Sequence, residues 1–238
     1  MAIWIIATLA AFFVKGMCGF ANTLVFTSIL GFGAANVNIS PVEIVLGYPA
    51  NIVVTWKNRS KLDWNVVITL SILVLIGSIP GAFLLRNTNI QFLKVVFGLV
   101  VILIGIEMFC REYRVNKIKE SKAVLYIIGL LSGLLCGLFG IGALLAAYVS
   151  RVTDTSDGFK ANISAVFIVE NTFRIVVYSA LGIITIESLK QAVLLMPLML
   201  IGTFAGMKSA KVMDEKLVKK LVIILLIISG AVLVIKNM

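Results

Sequence analysis

Few ionisable residues fall inside the long apolar stretches of this chain, and those few are the first candidates for chemistry. Glu170 and Arg174 lie four positions apart and therefore share one face of a helix. They either neutralise each other, or Arg174 binds an anion and Glu170 serves as its counter-ion when the site is empty. Lys15 has no acidic neighbour in sequence; it either extends to an aqueous interface or adds positive charge to the site. Lys15 and Glu170 are our candidates for gating or coupling.

Asn51 and Asn171 are polar side chains within apolar segments, and each needs a hydrogen-bond partner once it is buried. They either pair with a neighbouring helix or face each other and donate to a bound anion. Two glycine motifs, KGMCGFANTL at 15–24 and CGLFGIGALL at 136–145, would each expose the N-terminus of a following helix, which attracts anions. The alternative is that these glycines only let helices pack closely. The predicted substrate-binding residues are Gly19, Asn22, Asn51, Gly140, Gly142, Asn171 and Arg174.

The sequence contains no set of residues suited to catalysis, metal binding or cofactor binding. Histidine is absent, and the three cysteines have neither a CxxC pair nor a metal-ligand spacing. We therefore expect no enzyme, no metal and no cofactor. Because Cys18 and Cys136 lie in the two glycine motifs, a membrane thiol–disulfide electron carrier stays open as an alternative. Glu43 and Glu107 lie near segment ends, where we expect them to be solvated.

The composition indicates that these residues belong to a membrane protein. Of the 238 residues, 61% are hydrophobic and only 13% are charged, and the mean hydropathy is +1.10. A soluble domain of this length could not cover so much apolar surface with a polar skin. The chain is therefore an all-α, multi-pass protein of the cell membrane, and we expect no nucleic-acid partner. Its net charge of +10 is explained by Lys and Arg in cytoplasmic loops that face anionic lipid.

Apolar stretches long enough to cross a bilayer, about 20 residues each, locate the helices. Six are single spans, at 41–56, 65–85, 90–109, 161–180, 188–207 and 217–236. Two others, 2–36 and 123–150, are too long for one helix, and glycines interrupt both: Gly16 and Gly19 in the first, Gly137, Gly140 and Gly142 in the second. Each either crosses once or forms a hairpin, re-entrant or fully spanning, that returns to its starting face.

The two halves resemble copies of each other. A shift of 121 residues carries Gly16 and Gly19 onto Gly137 and Gly140, and a shift of 120 carries Asn51 onto Asn171. With hairpins, 15 of the 21 Lys and Arg residues fall in loops on one face and four on the other, as the positive-inside rule favours. Three further spans per half then give inverted topology with both termini outside. We predict a first repeat at 1–110, a basic cytoplasmic linker at 111–122 and a second repeat at 123–238.

The glycine motifs, the segment KNRSKLDW at 57–64 and the stretch GSIPGAFLLRNTNIQFLKVVFG at 77–98 resemble those of the sulfite exporter TauE/SafE family. The resemblance covers nearly the whole chain and implies a permease for a sulfur oxyanion or organosulfur compound, such as sulfite or a sulfonate. The sequence departs from the family pattern at Ala21, Asn22 and Ala143, where further glycines are common. These differences lie in the predicted site, so they leave the substrate open.

The expected function is thus transport of a small anion that binds near the midplane between two repeats. An anion channel, the thiol–disulfide carrier and a cation transporter using Glu170 are the alternatives. The sequence decides neither the direction of transport nor coupling to protons or another ion. It also leaves open whether the protein is a homodimer.

Overall fold

The fold was analysed in a computed structural model, which describes residues 1–30, 39–87, 122–139 and 142–235, and 95, 98–99, 102–103, 105–106, 109 and 110. The described residues form helices and contain no strand, which confirms the predicted all-α fold for this part of the chain. The helices of the first half are α1 (Ala2–Cys18), α2 (Asn22–Leu30), α3 (Ile39–Lys57) and α4 (Trp64–Asn87). Those of the second half are α5 (Lys122–Phe139), α6 (Ala143–Val152), α7 (Ser156–Ala180), α8 (Ile186–Val212) and α9 (Glu215–Ile235).

Helix is the expected state of these apolar segments, because lipid cannot satisfy a backbone N–H or C=O group. Among the described residues, α3, α7 and α8 are long and apolar enough to cross a membrane, and α1 and Trp64–Ile79 of α4 are shorter apolar helices. Large apolar side chains of α8, such as Val193, Ile201 and Phe204, point outwards. Most of the predicted span 90–109 and nearly all of the linker 111–122 lie outside the described residues.

The first glycine motif is the turn of a helical hairpin. Helix α1 ends where Gly19 (φ 85°) and Ala21 (φ 71°) adopt left-handed backbone conformations, which glycine reaches without the penalty of a Cβ atom. Helix α2 then begins at Asn22 and runs back along α1. The rings of Trp4 on α1 and Phe26 on α2 are 5.8 Å apart, edge to face. Residues 2–30 therefore do not form one span.

The second glycine motif lies between α5 and α6. Gly142 is the N-cap residue of α6, while residues 140 and 141 lie outside the described part of the chain. Helices α5 and α6 pack against each other.

Glycine-mediated contacts join each hairpin to a helix of the other half. Helix α1 packs on α8, and α4 packs on α5. A Cβ atom on Gly77 would strike the backbone of α5, and one on Gly202 would press on that of α1, so these backbones touch almost directly. A Cβ atom on Gly202 would meet Leu9, Phe12 and Phe13 of α1. Adding 121 to these residue numbers gives Leu130, Gly133 and Leu134, the residues that a Cβ atom on Gly77 would meet.

Helices α3 and α7 cross between the hairpins and run in opposite directions. Ser40, at the start of α3, lies beside Tyr178, near the end of α7, with 3.4 Å between their hydroxyl oxygens. After the end of α3, the backbone N–H of Asp63 donates to Oδ1 of Asn162, near the start of α7, at 2.9 Å. The two hairpin turns and these two helices enclose the candidate site.

Candidate functional site

A small cavity of about 20 Å³ lies where both hairpin turns meet α3 and α7. The first turn contributes residues 20–24 and the second contributes Gly142. Lys15 of α1 completes the wall, together with Glu43 and Asn51 of α3 and Phe167 and Asn171 of α7. The cavity has room for one or two water molecules, so a larger ligand requires the hairpins to separate.

Lys15 brings to this cavity a buried amino group without a hydrogen-bond partner in the described part of the chain. The residue is 0% exposed, and its Nζ atom has no hydrogen-bond partner among the described residues. The ammonium group lies 4.8 Å from the centroid of the Phe167 ring, a cation–π contact. Burying a charge without hydrogen bonds is costly. Lys15 is thus a buried basic group on the cavity wall, without a hydrogen-bond partner in the residues that the structure describes, and it does not extend to an aqueous interface.

Glu43 lines the cavity, where the sequence did not predict it. The expectation was a solvated carboxylate near a segment end, but the residue is only 3% exposed. Its Oε1 atom accepts hydrogen bonds from Nδ2 of Asn22 at 2.5 Å and Oγ1 of Thr23 at 2.8 Å, both in the first turn of α2. The beginning of α3 is covered by the hairpin, so position 43 faces protein. Glu107 lies outside the described residues.

A sequence signal could have found Glu43. Glu43, Gly47 and Asn51 follow one another at intervals of four residues, and residues with this spacing share a helix face. Asn51 was already a predicted site residue, so the same face pointed to the carboxylate as well.

Three predicted amide side chains, those of Asn22, Asn51 and Asn171, lie on the cavity together. Gly47 lies beside two of them: a Cβ atom there would be in ordinary van der Waals contact, 3.5 Å from Nδ2 of Asn22 and 3.6 Å from Nδ2 of Asn171. Oδ1 of Asn51 has no hydrogen-bond partner in the described part of the chain. Each half therefore supplies amide groups to one shared space.

Gly142 lines the cavity as well, and its lack of a side chain matters there. A Cβ atom at Gly142 would collide with the ring of Phe167, which lies under the Lys15 ammonium group. The second hairpin turn therefore rests directly on the aromatic ring that supports the buried cation.

Three other predicted residues lie elsewhere. Arg174 does not line the cavity: its Nε atom is 3.6 Å from Oε1 of Glu170, and its terminal nitrogen donates to the hydroxyl groups of Tyr178 at 3.1 Å and Ser40 at 3.4 Å. Glu170 is thus an ion-pair partner beside the cavity. Gly19 packs under the side chain of Lys160, and Gly140 lies outside the described residues.

The cysteines and the acidic groups form no further site among the described residues. Cys18 on α1 and Cys136 on α5 are buried and form no disulfide, and neither lines the cavity. In the described part of the chain, no three His, Cys, Asp or Glu residues are grouped as metal ligands. The chemistry available in the cavity is therefore recognition of charge and of hydrogen-bond acceptors.

Comparison with known proteins agrees with the resemblance noted in the sequence. The family described as "Sulfite exporter TauE/SafE" matches residues 3–233. No curated protein and no solved structure matches the chain. Proteins of this family are membrane transporters rather than enzymes, which implies a small anionic substrate and a lipid surrounding. With the match covering nearly its full length, the chain belongs to the sulfite exporter TauE/SafE family.

Proposed function

We propose that the protein transports a small sulfur oxyanion, such as sulfite or a sulfonate, and binds it in the cavity between the two hairpin turns. The observation that carries this proposal is the buried, unpartnered ammonium group of Lys15. A sulfur oxyanion is compact, carries delocalised negative charge and accepts hydrogen bonds on each oxygen. Its oxygens would therefore supply the hydrogen-bond acceptors that Nζ of Lys15 lacks among the described residues.

Neutral donors complete the proposed site. The amide groups of Asn22, Asn51 and Asn171 surround the cavity and can donate N–H groups to different oxygens of one anion. The cavity also borders the first turn of α2 and the capping residue of α6, where backbone N–H groups have no intrahelical partner and the helix dipole favours negative charge. Gly140, which lies outside the described residues, stays part of the proposed binding site.

We further propose that the halves are inverted repeats and that access to the site alternates between the two faces. The equivalent contacts of Gly77 and Gly202 support the duplication. The opposite directions of α3 and α7 support the inversion, because helices related by an axis in the membrane plane run antiparallel. Rocking one repeat and its hairpin against the other would open the cavity to one side at a time.

The test is uptake of radiolabelled sulfite, methanesulfonate and a small carboxylate into liposomes that contain the purified protein. Saturable uptake of a sulfur anion is expected. Lys15→Met removes a charge-assisted contact worth about 1.5–3 kcal/mol, so substrate affinity should fall at least about tenfold. Lys190→Met, at an exposed position at the start of α8, is the matched control and should keep the affinity of the wild type.

Each alternative gives a different result in the same experiment. Flux that rises linearly with substrate concentration would indicate a channel. Loss of transport in Cys18→Ser or Cys136→Ser would instead indicate a thiol–disulfide carrier. Unchanged affinity in Lys15→Met would contradict the proposed site, and the absence of saturable sulfur-anion uptake would contradict the proposed function.

A further inference from the structure

The cavity already holds an anion of its own, the Glu43 carboxylate. Its Oε1 atom accepts hydrogen bonds from the side chains of Asn22 and Thr23 at the N-terminus of α2, and Lys15 lines the same cavity. These are the groups that would bind a transported oxyanion. The carboxylate and the substrate therefore compete for the same donors and the same cation.

A charge count shows what this competition requires. With Lys15 and Glu43 both charged the empty cavity is neutral, and beside it Arg174 and Glu170 form a second neutral pair. An entering monoanion would then leave one negative charge without compensation in a small buried space, and such a charge is strongly unfavourable. A proton on Glu43 removes that charge and releases donors and the ammonium group for the anion.

We infer that Glu43 is a proton site in this cavity and that the anion and a proton bind and cross the membrane together. This inference rests on the proposed function. The proton enters from the aqueous phase with the anion, resides on a carboxylate oxygen of Glu43 during the crossing, and is released on the other side. The Lys15 ammonium group keeps its proton and holds the substrate.

The groups around Glu43 explain why this carboxylate, rather than Glu170, takes the proton. Lys15 faces it from α1, Asn22 and Thr23 from α2, and Arg174 and Glu170 act on it from α7. Glu170 is held by Arg174, at 3.6 Å, and does not line the cavity. Glu43 does line it, so an anion can displace only Glu43 from its partners.

The experiment uses wild-type protein in liposomes that contain a pH-sensitive dye. Methanesulfonate is the probe, because this monoanion does not bind a proton near neutral pH and every pH change then comes from the carrier. An imposed anion gradient is expected to move protons in the same direction as the anion. Anion flux without proton movement would overturn the inference and leave the proposed function standing. If no sulfur anion is transported at all, both the inference and the proposed function are contradicted.

Variants then locate the proton. Glu43→Gln imitates the protonated carboxyl group, so it should keep anion-for-anion exchange and lose proton movement. Glu187→Gln, at an exposed position in the first turn of α8, should keep both. Proton movement that persists in Glu43→Gln would overturn the inference.

A second variant keeps the inference testable if Glu43→Gln does not fold. Glu43→Asp retains a carboxyl group but withdraws it from Asn22 and Thr23, so the pH midpoint of anion affinity should shift from that of the wild type. Glu187→Asp should leave the midpoint in place. An unchanged midpoint in Glu43→Asp would overturn the assignment.

Discussion

At the scale of single residues, the question left by the sequence is whether Glu170 and Arg174 serve structure or substrate. Their ion pair and the bonds of Arg174 to Tyr178 and Ser40 tie α7 to α3. Glu170→Gln leaves a buried guanidinium group without its counter-charge, and it should destabilise the protein by about 3–5 kcal/mol. The double variant Glu170→Gln/Arg174→Met should recover much of this loss. Thermal unfolding of the purified variants measures both effects, and a well-folded double variant that no longer binds anion would return Arg174 to the substrate site.

At the scale of helices, the contact between α1 and α8 depends on a face without side chains. A Cβ atom on Gly206 would collide with the carbonyl oxygen of Phe13, which is backbone and cannot turn aside. Gly206→Leu should therefore separate the helices and destabilise the protein by about 3 kcal/mol or more. Ala205→Leu is the matched control, because Ala205 is the neighbouring residue and is exposed. Equal melting temperatures for the two variants would contradict the close contact.

At the scale of the whole molecule, the hairpins decide on which faces the loops lie. If both glycine motifs form hairpins, the loop after α3 is cytoplasmic and the loop between α7 and α8 is outside; if both cross once, these loops share a face. Single cysteines introduced in place of Ser60 or Leu181, which are exposed, report the membrane face of each loop. The background is a variant that lacks Cys18, Cys110 and Cys136. In intact cells an impermeant thiol reagent should label only the cysteine at position 181. Labelling of both or neither would contradict the inverted topology.

The sequence predicted much of this arrangement, for local reasons. A run of apolar residues must be helical in lipid wherever it packs, so the predicted spans 41–56, 65–85 and 161–180 correspond to α3, α4 and α7. Polar side chains in apolar segments need partners, which led to Asn51 and Asn171. Both lie on one cavity, although their role in binding stays a prediction.

The sequence by itself determined that the chain consists of apolar helices suited to a membrane, with two glycine breaks and few internal charges. Hydropathy, glycine and charge act through each residue's own chemistry and its near neighbours, so they can be read without coordinates. Only the tertiary structure decided which internal charge faces the cavity. Glu43 lies on the cavity instead of in solvent, and Arg174 lies in an ion pair instead of on the cavity. Their partners include residues of other helices, with Asn22 lying 21 positions from Glu43 and Ser40 lying 134 positions from Arg174.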